Sequence, residues 1–168
     1  MVSETITIRR LSVDDMDAFK RIRLEALEAD PASFASSHAQ WRDCNDERWR
    51  KELFFPVFAA FELSVPVGIM AVRPKWPARV SHRACLTSVY IRKYFRGTGL
   101  AFDIFQAVAS WAYGSGHRQL DLSVHGDNAP AIRFYEKLGF LTVGRIPEGY
   151  WDGAKSADEL LMTLRLPH

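Results

Sequence analysis

The chain has 168 residues, 48% hydrophobic and 25% charged, and its 22 Lys and Arg against 20 Asp and Glu leave a formal charge of +2. That length suits one domain, residues 1–168, with a sizeable core. So small a charge excess, without a basic stripe, argues against a nucleic-acid partner; no apolar run approaches the roughly 18 residues of a membrane span. Two cysteines, Cys44 and Cys85, make no disulfide framework. The N-terminus lacks the basic and apolar pattern of a secretory signal, so reduced thiols and a cytoplasmic location are expected. The histidines and cysteines show no metal-ligand spacing, and no metal is expected.

Ile6-Thr7-Ile8-Arg9 alternates and predicts a first strand. Ser12, with Asp15 three residues on, marks a helix start. Met16, Phe19, Ile22 and Ala26 then recur at helical spacing, and Asp30-Pro31 ends the helix. Residues 38–54 carry Trp41, Trp49, Leu53 and Phe54 among charges and predict a second helix with an aromatic face. Strands are predicted at 57–61 and 67–72, with a turn at Ser64-Val65-Pro66. Residues 73–83 read as an exposed connection.

The next stretch is the most specific. Leu86, Val89, Tyr90 and Ile91 predict a strand over 84–91. A basic and aromatic link follows, then Gly97-Thr98-Gly99, then a helix whose buried face carries Leu100, Ile104, Val108 and Trp111. Glycines at a helix start admit a ligand close to the backbone. The free N–H groups of the first turn and the helix dipole there favour a phosphate or pyrophosphate. A tight turn without a ligand accounts for the same spacing. Two phosphate loops are excluded: Leu100 and Ala101 follow Gly99 where a Walker loop needs Lys and Ser or Thr, and Phe102 stands where a dinucleotide fingerprint needs a third Gly or Ala.

Downstream, a strand at 120–124 leads to Gly126-Asp127-Asn128. Asn128 suits a helix N-cap, Pro130 its first turn, and Gly139 a left-handed end. Tyr150-Trp151-Asp152-Gly153 reads as a hairpin tip before a last strand at 159–164.

Arg96-x-x-Gly99-x-Ala101, after Val89-Tyr90-Ile91, resembles the Gln/Arg-x-x-Gly-x-Gly/Ala pyrophosphate loop of the GNAT acetyltransferase superfamily. Asn128-Ala129-Pro130-Ala131-Ile132-Arg133-Phe134-Tyr135-Glu136-Lys137-Leu138-Gly139-Phe140 resembles that family's Asn-x-x-Ala-x-x-Phe-Tyr-x-x-x-Gly-Phe block. The close match covers about residues 84–140. The resemblance implies an α/β fold: a mixed, largely antiparallel central sheet flanked by helices and splayed between the strands at 84–91 and 120–124. It implies acetyl-coenzyme A as acyl donor and the primary amine of a small molecule or peptide as acceptor, acetylated by direct attack.

By the same resemblance, Arg96, Gly97, Thr98, Gly99, Leu100 and Ala101 hold the pyrophosphate. The backbone of Ser88, Val89, Tyr90 and Ile91 lies along the pantetheine arm, one amide on the thioester oxygen. Asn128 bonds that arm, and Tyr135 protonates the departing thiolate. Lys93 stands where many relatives have proline, which leaves the strand exit less rigid. The general base matches no fixed motif; Glu25, Glu28, His82, His125 and Asp127 are the candidates. Tyr150 and Trp151 suit an acceptor wall or a subunit contact, and a homodimer through the C-terminal strand or hairpin is an expectation. The alternative function is an acetyl-coenzyme A sensor without turnover.

Overall fold

The computed structural model describes residues 5–167. Strand β2 (Val57–Glu62) shows how the sequence builds two layers. Phe58 and Ala60 point into one core, and Val57, Ala59 and Phe61 into another. A strand buried on both faces in this way sits inside a sheet. Its neighbours are β1 (Ile6–Arg10) and β3 (Val65–Pro74), then β4 (Arg83–Ile91), β5 (Gln119–His125), β7 (Ser156–Arg165) and β6 (Leu141–Trp151). The spatial order is β1-β2-β3-β4-β5-β7-β6, and only β4 and β5 run parallel.

Helix α1 (Met16–Ala29) covers one face with Phe19, Ile22 and Ala26, against Ile69, Ala71 and Tyr90. Ser12 and Asp15 form the expected capping box, ahead of a short 3-10 turn. Helices α4 (Leu100–Gly114) and α5 (Ala129–Lys137) cover the other face. In α4, Ala112 is buried where Trp111 was expected, and Trp111 packs at the margin of the core.

Three further expectations need correction. Residues 38–54 form two short helices, α2 (His38–Arg42) and α3 (Asp46–Glu52). Asn45 accepts the Arg48 N–H at 3.0 Å and starts a new helix there. Trp49 is fully buried, whereas Phe54 is 71% exposed. The β2–β3 turn lies at Leu63-Ser64, with Leu63 at φ +55°, so Val65 and Pro66 already belong to the strand. The last hairpin turns after Trp151, so Tyr150 and Trp151 end β6 instead of forming its tip. No helix among the described residues is long and apolar enough to cross a membrane.

Candidate active site

Strands β4 and β5 pair only where Arg83–Cys85 meet Gln119–Asp121. Beyond that point each keeps its outer partner. β4 stays on β3 as far as Ile91 opposite Gly68, and β5 stays on β7 as far as His125 opposite Glu159. The two strands therefore part like a V. Its closed end is pinned by Arg83, whose Nη2 lies 2.6 Å from the Asp121 carboxylate. Burial pushes the Asp121 carboxyl up, but hydrogen bonds from Gln119, Arg83 and Thr163 outweigh it and hold the group below the usual range.

A β-bulge sits at the opening. Thr87 pairs with Ala71 and Tyr90 with Ile69, so Ser88 and Val89 together face Met70. The additional residue reverses the side-chain parity of the strand. Ala84 and Leu86 face the α4 core before it; Val89 and Ile91 do so after it. Ser88 adopts φ +53°, a costly conformation for a residue with a Cβ. The bulge interrupts the ladder to β3, and beyond Cys85 the edge of β4 that faces the gap has no ladder partner on β5. Tyr90 and Ile91 bring only main chain there, since both side chains are buried in the two cores.

The loop after β4 ends at Gly97 and Gly99, at φ +77° and +94°, where a side chain would be strained. A Cβ on either would meet nothing within 4 Å, so the space above them is open. Gly99 caps α4, and no side chain satisfies the helix start. The N–H groups of Gly97, Gly99, Leu100, Ala101 and Phe102 donate to no acceptor among the described residues. Such a cluster of free amides at a helix N-terminus fits an anionic phosphate. Arg96 braces the turn: its Nε donates to the Ile91 carbonyl at 2.9 Å, and Nη2 pairs with Asp30. The Thr98 hydroxyl donates to the Phe95 carbonyl at 2.7 Å. Lys93 is exposed in the short 3-10 turn before the loop.

Asn128 follows β5 and caps α5 by accepting the Ala131 N–H at 3.2 Å. Its Nδ2 donates to Ser33 Oγ at 3.3 Å, which ties α5 to the turn after α1 and leaves one amide N–H for a ligand. Tyr135 lies on α5 against Phe134 and Phe140, with ring centroids at 5.5 and 5.7 Å. Its residue is 7% exposed, and its hydroxyl has no hydrogen-bond partner among the described residues. Burial, with a smaller contribution from nearby Tyr150, drives the phenol well above its ordinary value.

The proposed bases separate. Glu25 accepts from Arg92 at 2.7 and 2.6 Å and from the Tyr90 hydroxyl at 3.2 Å. Those hydrogen bonds hold its pKa down, which makes it a poor proton acceptor. Glu28 is exposed, and His82 lies before β4, at the closed end of the V. Asp127 is exposed beyond β5. His125 ends β5 beside Tyr150, at 5.2 Å between rings, but its Nδ1 accepts the Asp127 N–H at 3.2 Å.

Glu159 is a further candidate that no motif in the sequence marks. It sits opposite His125 on β7, so both side chains share one sheet face. Its carboxylate makes no hydrogen bond or ion pair among the described residues, and it contributes, after burial, to raising the Tyr150 phenol. Gly149 permits this placement, because a Cβ there would lie 2.6 Å from Glu159 Cβ. Only the β5–β7 register reveals Glu159; in the sequence it is the second of two acids, Asp158-Glu159, ahead of an apolar run. Among the described residues, no cluster of His, Cys, Asp and Glu could hold a metal.

The sequence model of the acetyltransferase (GNAT) family matches residues 18–140, which span the V, the glycine loop and Tyr135. An uncharacterised N-acetyltransferase of Methanocaldococcus jannaschii is 27% identical over 142 residues, 82% of this chain and 61% of that protein. N-alpha-acetyltransferase 30 of Schizosaccharomyces pombe is 32% identical over 71 residues, 42% of this chain and 47% of that protein. The chain thus spans less than two thirds of the length of these curated relatives. A GNAT-family acetyltransferase from Streptococcus pneumoniae superposes with a TM-score of 0.85 at 23% identity, over 96% of this chain and 99% of that one. YncA of Salmonella typhimurium, solved with its cofactor acetyl-CoA, gives 0.80 at 22% identity, over 98% and 96%. These two likenesses establish the fold: the mixed, splayed α/β sheet expected from the sequence. With the family match across the site itself, the chain belongs to the GNAT acetyltransferase family, whose acyl donor is acetyl-coenzyme A.

Proposed function

We propose that this chain transfers an acetyl group from acetyl-coenzyme A to a primary amine by direct attack, with no acyl-enzyme. One observation carries this reading. The opened β4–β5 gap has a nest of free amides at its α4 end, and on α5 the buried Tyr135 carries a hydroxyl with no partner among the described residues. Acetyl-coenzyme A supplies the activated thioester, whose carbon–sulfur bond breaks as the amine's carbon–nitrogen bond forms.

The chain's own groups divide the work. The amides of Gly97, Gly99, Leu100, Ala101 and Phe102 hold the pyrophosphate. The bulge backbone at Ser88 and Val89 places an N–H where charge builds on the carbonyl oxygen; one such donor is worth about 3 kcal/mol of barrier. Glu159, unpaired and on the face it shares with His125, takes the proton of the substrate ammonium. Tyr135 holds a proton at Oη for the departing sulfur. The burial that keeps this phenol protonated also disfavours a free thiolate in the same surroundings.

The test is release of coenzyme A thiol from acetyl-coenzyme A with a panel of primary amines. Amine-dependent release, lowered about a hundredfold in Tyr135→Phe, supports the reading. Binding of acetyl-coenzyme A without release for any amine would favour a sensor, and equal turnover in Tyr135→Phe would remove the acid.

A further inference from the structure

On the sheet face covered by α1 and α3, a cavity of about 270 Å³ lies over the β4 bulge. Its polar lining consists of Arg23 on α1, Ser36, Arg48 and Glu52 on α3, Arg73 on β3, and Thr87 and Ser88 on β4. Three buried polar atoms in this lining have no partner: Arg23 Nη1, Arg73 Nη1 and Thr87 Oγ1. Arg23 is 8% exposed, stacks on Phe34 at 4.7 Å, and donates to no acceptor among the described residues. A guanidinium buried without an acceptor is strongly unfavourable unless a ligand completes it.

The charges indicate what that ligand carries. Arg73 pairs with Glu52, and Arg48 Nη2 lies 3.4 Å from the same carboxylate. Arg48 is a rim group, its side chain 54% exposed, while those of Arg73 and Glu52 are 28% and 13% exposed. The sheltered set is thus Arg23 and Arg73 against Glu52, one positive charge in excess. Water satisfies donors but does not balance that charge. A carboxylate does both, because its two oxygens match the guanidinium fork and can also accept from a hydroxyl. A dianion would over-compensate the excess and lie against Glu52.

Position ties the cavity to the reaction. Ser88 lines the cavity and also forms the bulge at the mouth of the V. An acceptor anchored there by its carboxylate brings an adjacent amine to the gap from the face opposite α4.

We infer that this cavity binds the carboxylate of the acceptor, so that the amine acetylated belongs to an amino acid or a similar amino-carboxylate. The inference rests on the acyl-transfer reading for the acceptor's role, but its test needs no turnover. N-acetyl amino acids, the products of such a reaction, are titrated calorimetrically into the intact protein beside their N-acetyl amino-acid amides. Across a panel of side chains, at least one acid binds ten or more times tighter than its amide. Arg23→Gln brings that ratio close to one, and Thr87→Val, nearly isosteric, narrows it by a few fold should Arg23→Gln fail to fold. Equal affinity for acid and amide in every pair overturns the inference, as does a phosphonate analogue that binds more tightly than the carboxylate. Acetyl-coenzyme A is titrated in parallel. Acid preference without acetyl-coenzyme A binding supports the cavity and removes the donor reading; the opposite pattern does the reverse.

Discussion

At Tyr135 the proposed reaction asks for a phenol that remains protonated, and packing between Phe134 and Phe140 supplies one. Because burial raises its pKa from the ordinary value near 10, kcat should show no loss from this group between pH 7 and about 10. A descending limb near pH 8 that vanishes in Tyr135→Phe would contradict the assignment. Glu159→Gln should lower kcat/KM by about a hundredfold, as removal of a general base does, while thermal unfolding changes little because the carboxylate has no protein partner to lose. A change in kcat/KM of less than threefold would return the base to His125 or to water. As a candidate, Tyr135 was legible because it stands inside a long motif. Glu159 was not, since strand register alone sets it opposite His125. Glu25, plausible in the sequence, is committed to Arg92 by a contact that spans 67 positions of chain.

Two local devices, the glycine loop and the bulge, differ in how far the sequence discloses them. The loop is legible through the Arg96-x-x-Gly99-x-Ala101 pattern ahead of a periodic apolar helix, since the glycine spacing by itself fits a tight turn as well. Gly99→Val tests it. The valine Cβ meets no protein atom, so the expected stability cost is the backbone term of about 1–2 kcal/mol, while acetyl-coenzyme A affinity falls at least tenfold. Retained affinity in the folded variant would mean that the loop is only a turn. Where the bulge falls is not written in the residues, as nothing in Thr87-Ser88-Val89 states which two share one partner. Ser88 at φ +53° gives it a measurable signature. A β-branched residue is worse than serine in that region, so Ser88→Val should destabilise the protein by about 2 kcal/mol in urea unfolding. Unchanged stability would argue that the strand runs without strain. Between α2 and α3, Asn45 was equally hard to read, because asparagine caps only where the chain has already turned.

Across the whole molecule, the proposed reaction puts donor and acceptor on opposite faces of the sheet. The α4–α5 face carries the amide nest and Tyr135; the α1–α3 face carries the arginine-lined cavity, and the V between β4 and β5 joins them. The family blocks, in their order and spacing, made this architecture and the place of the opening legible. They did not disclose the cavity, which is assembled from α1, α3, β3 and β4, segments far apart in sequence that meet only when the sheet closes its register. Acyl transfer by this chain requires the opening to be a coenzyme site. Calorimetric titration of the purified protein with acetyl-coenzyme A tests that most directly. Saturable binding of one molecule per chain, with a micromolar Kd, is the predicted result. Absence of binding by the folded protein would contradict it, and the acyl-transfer reading would fall with it.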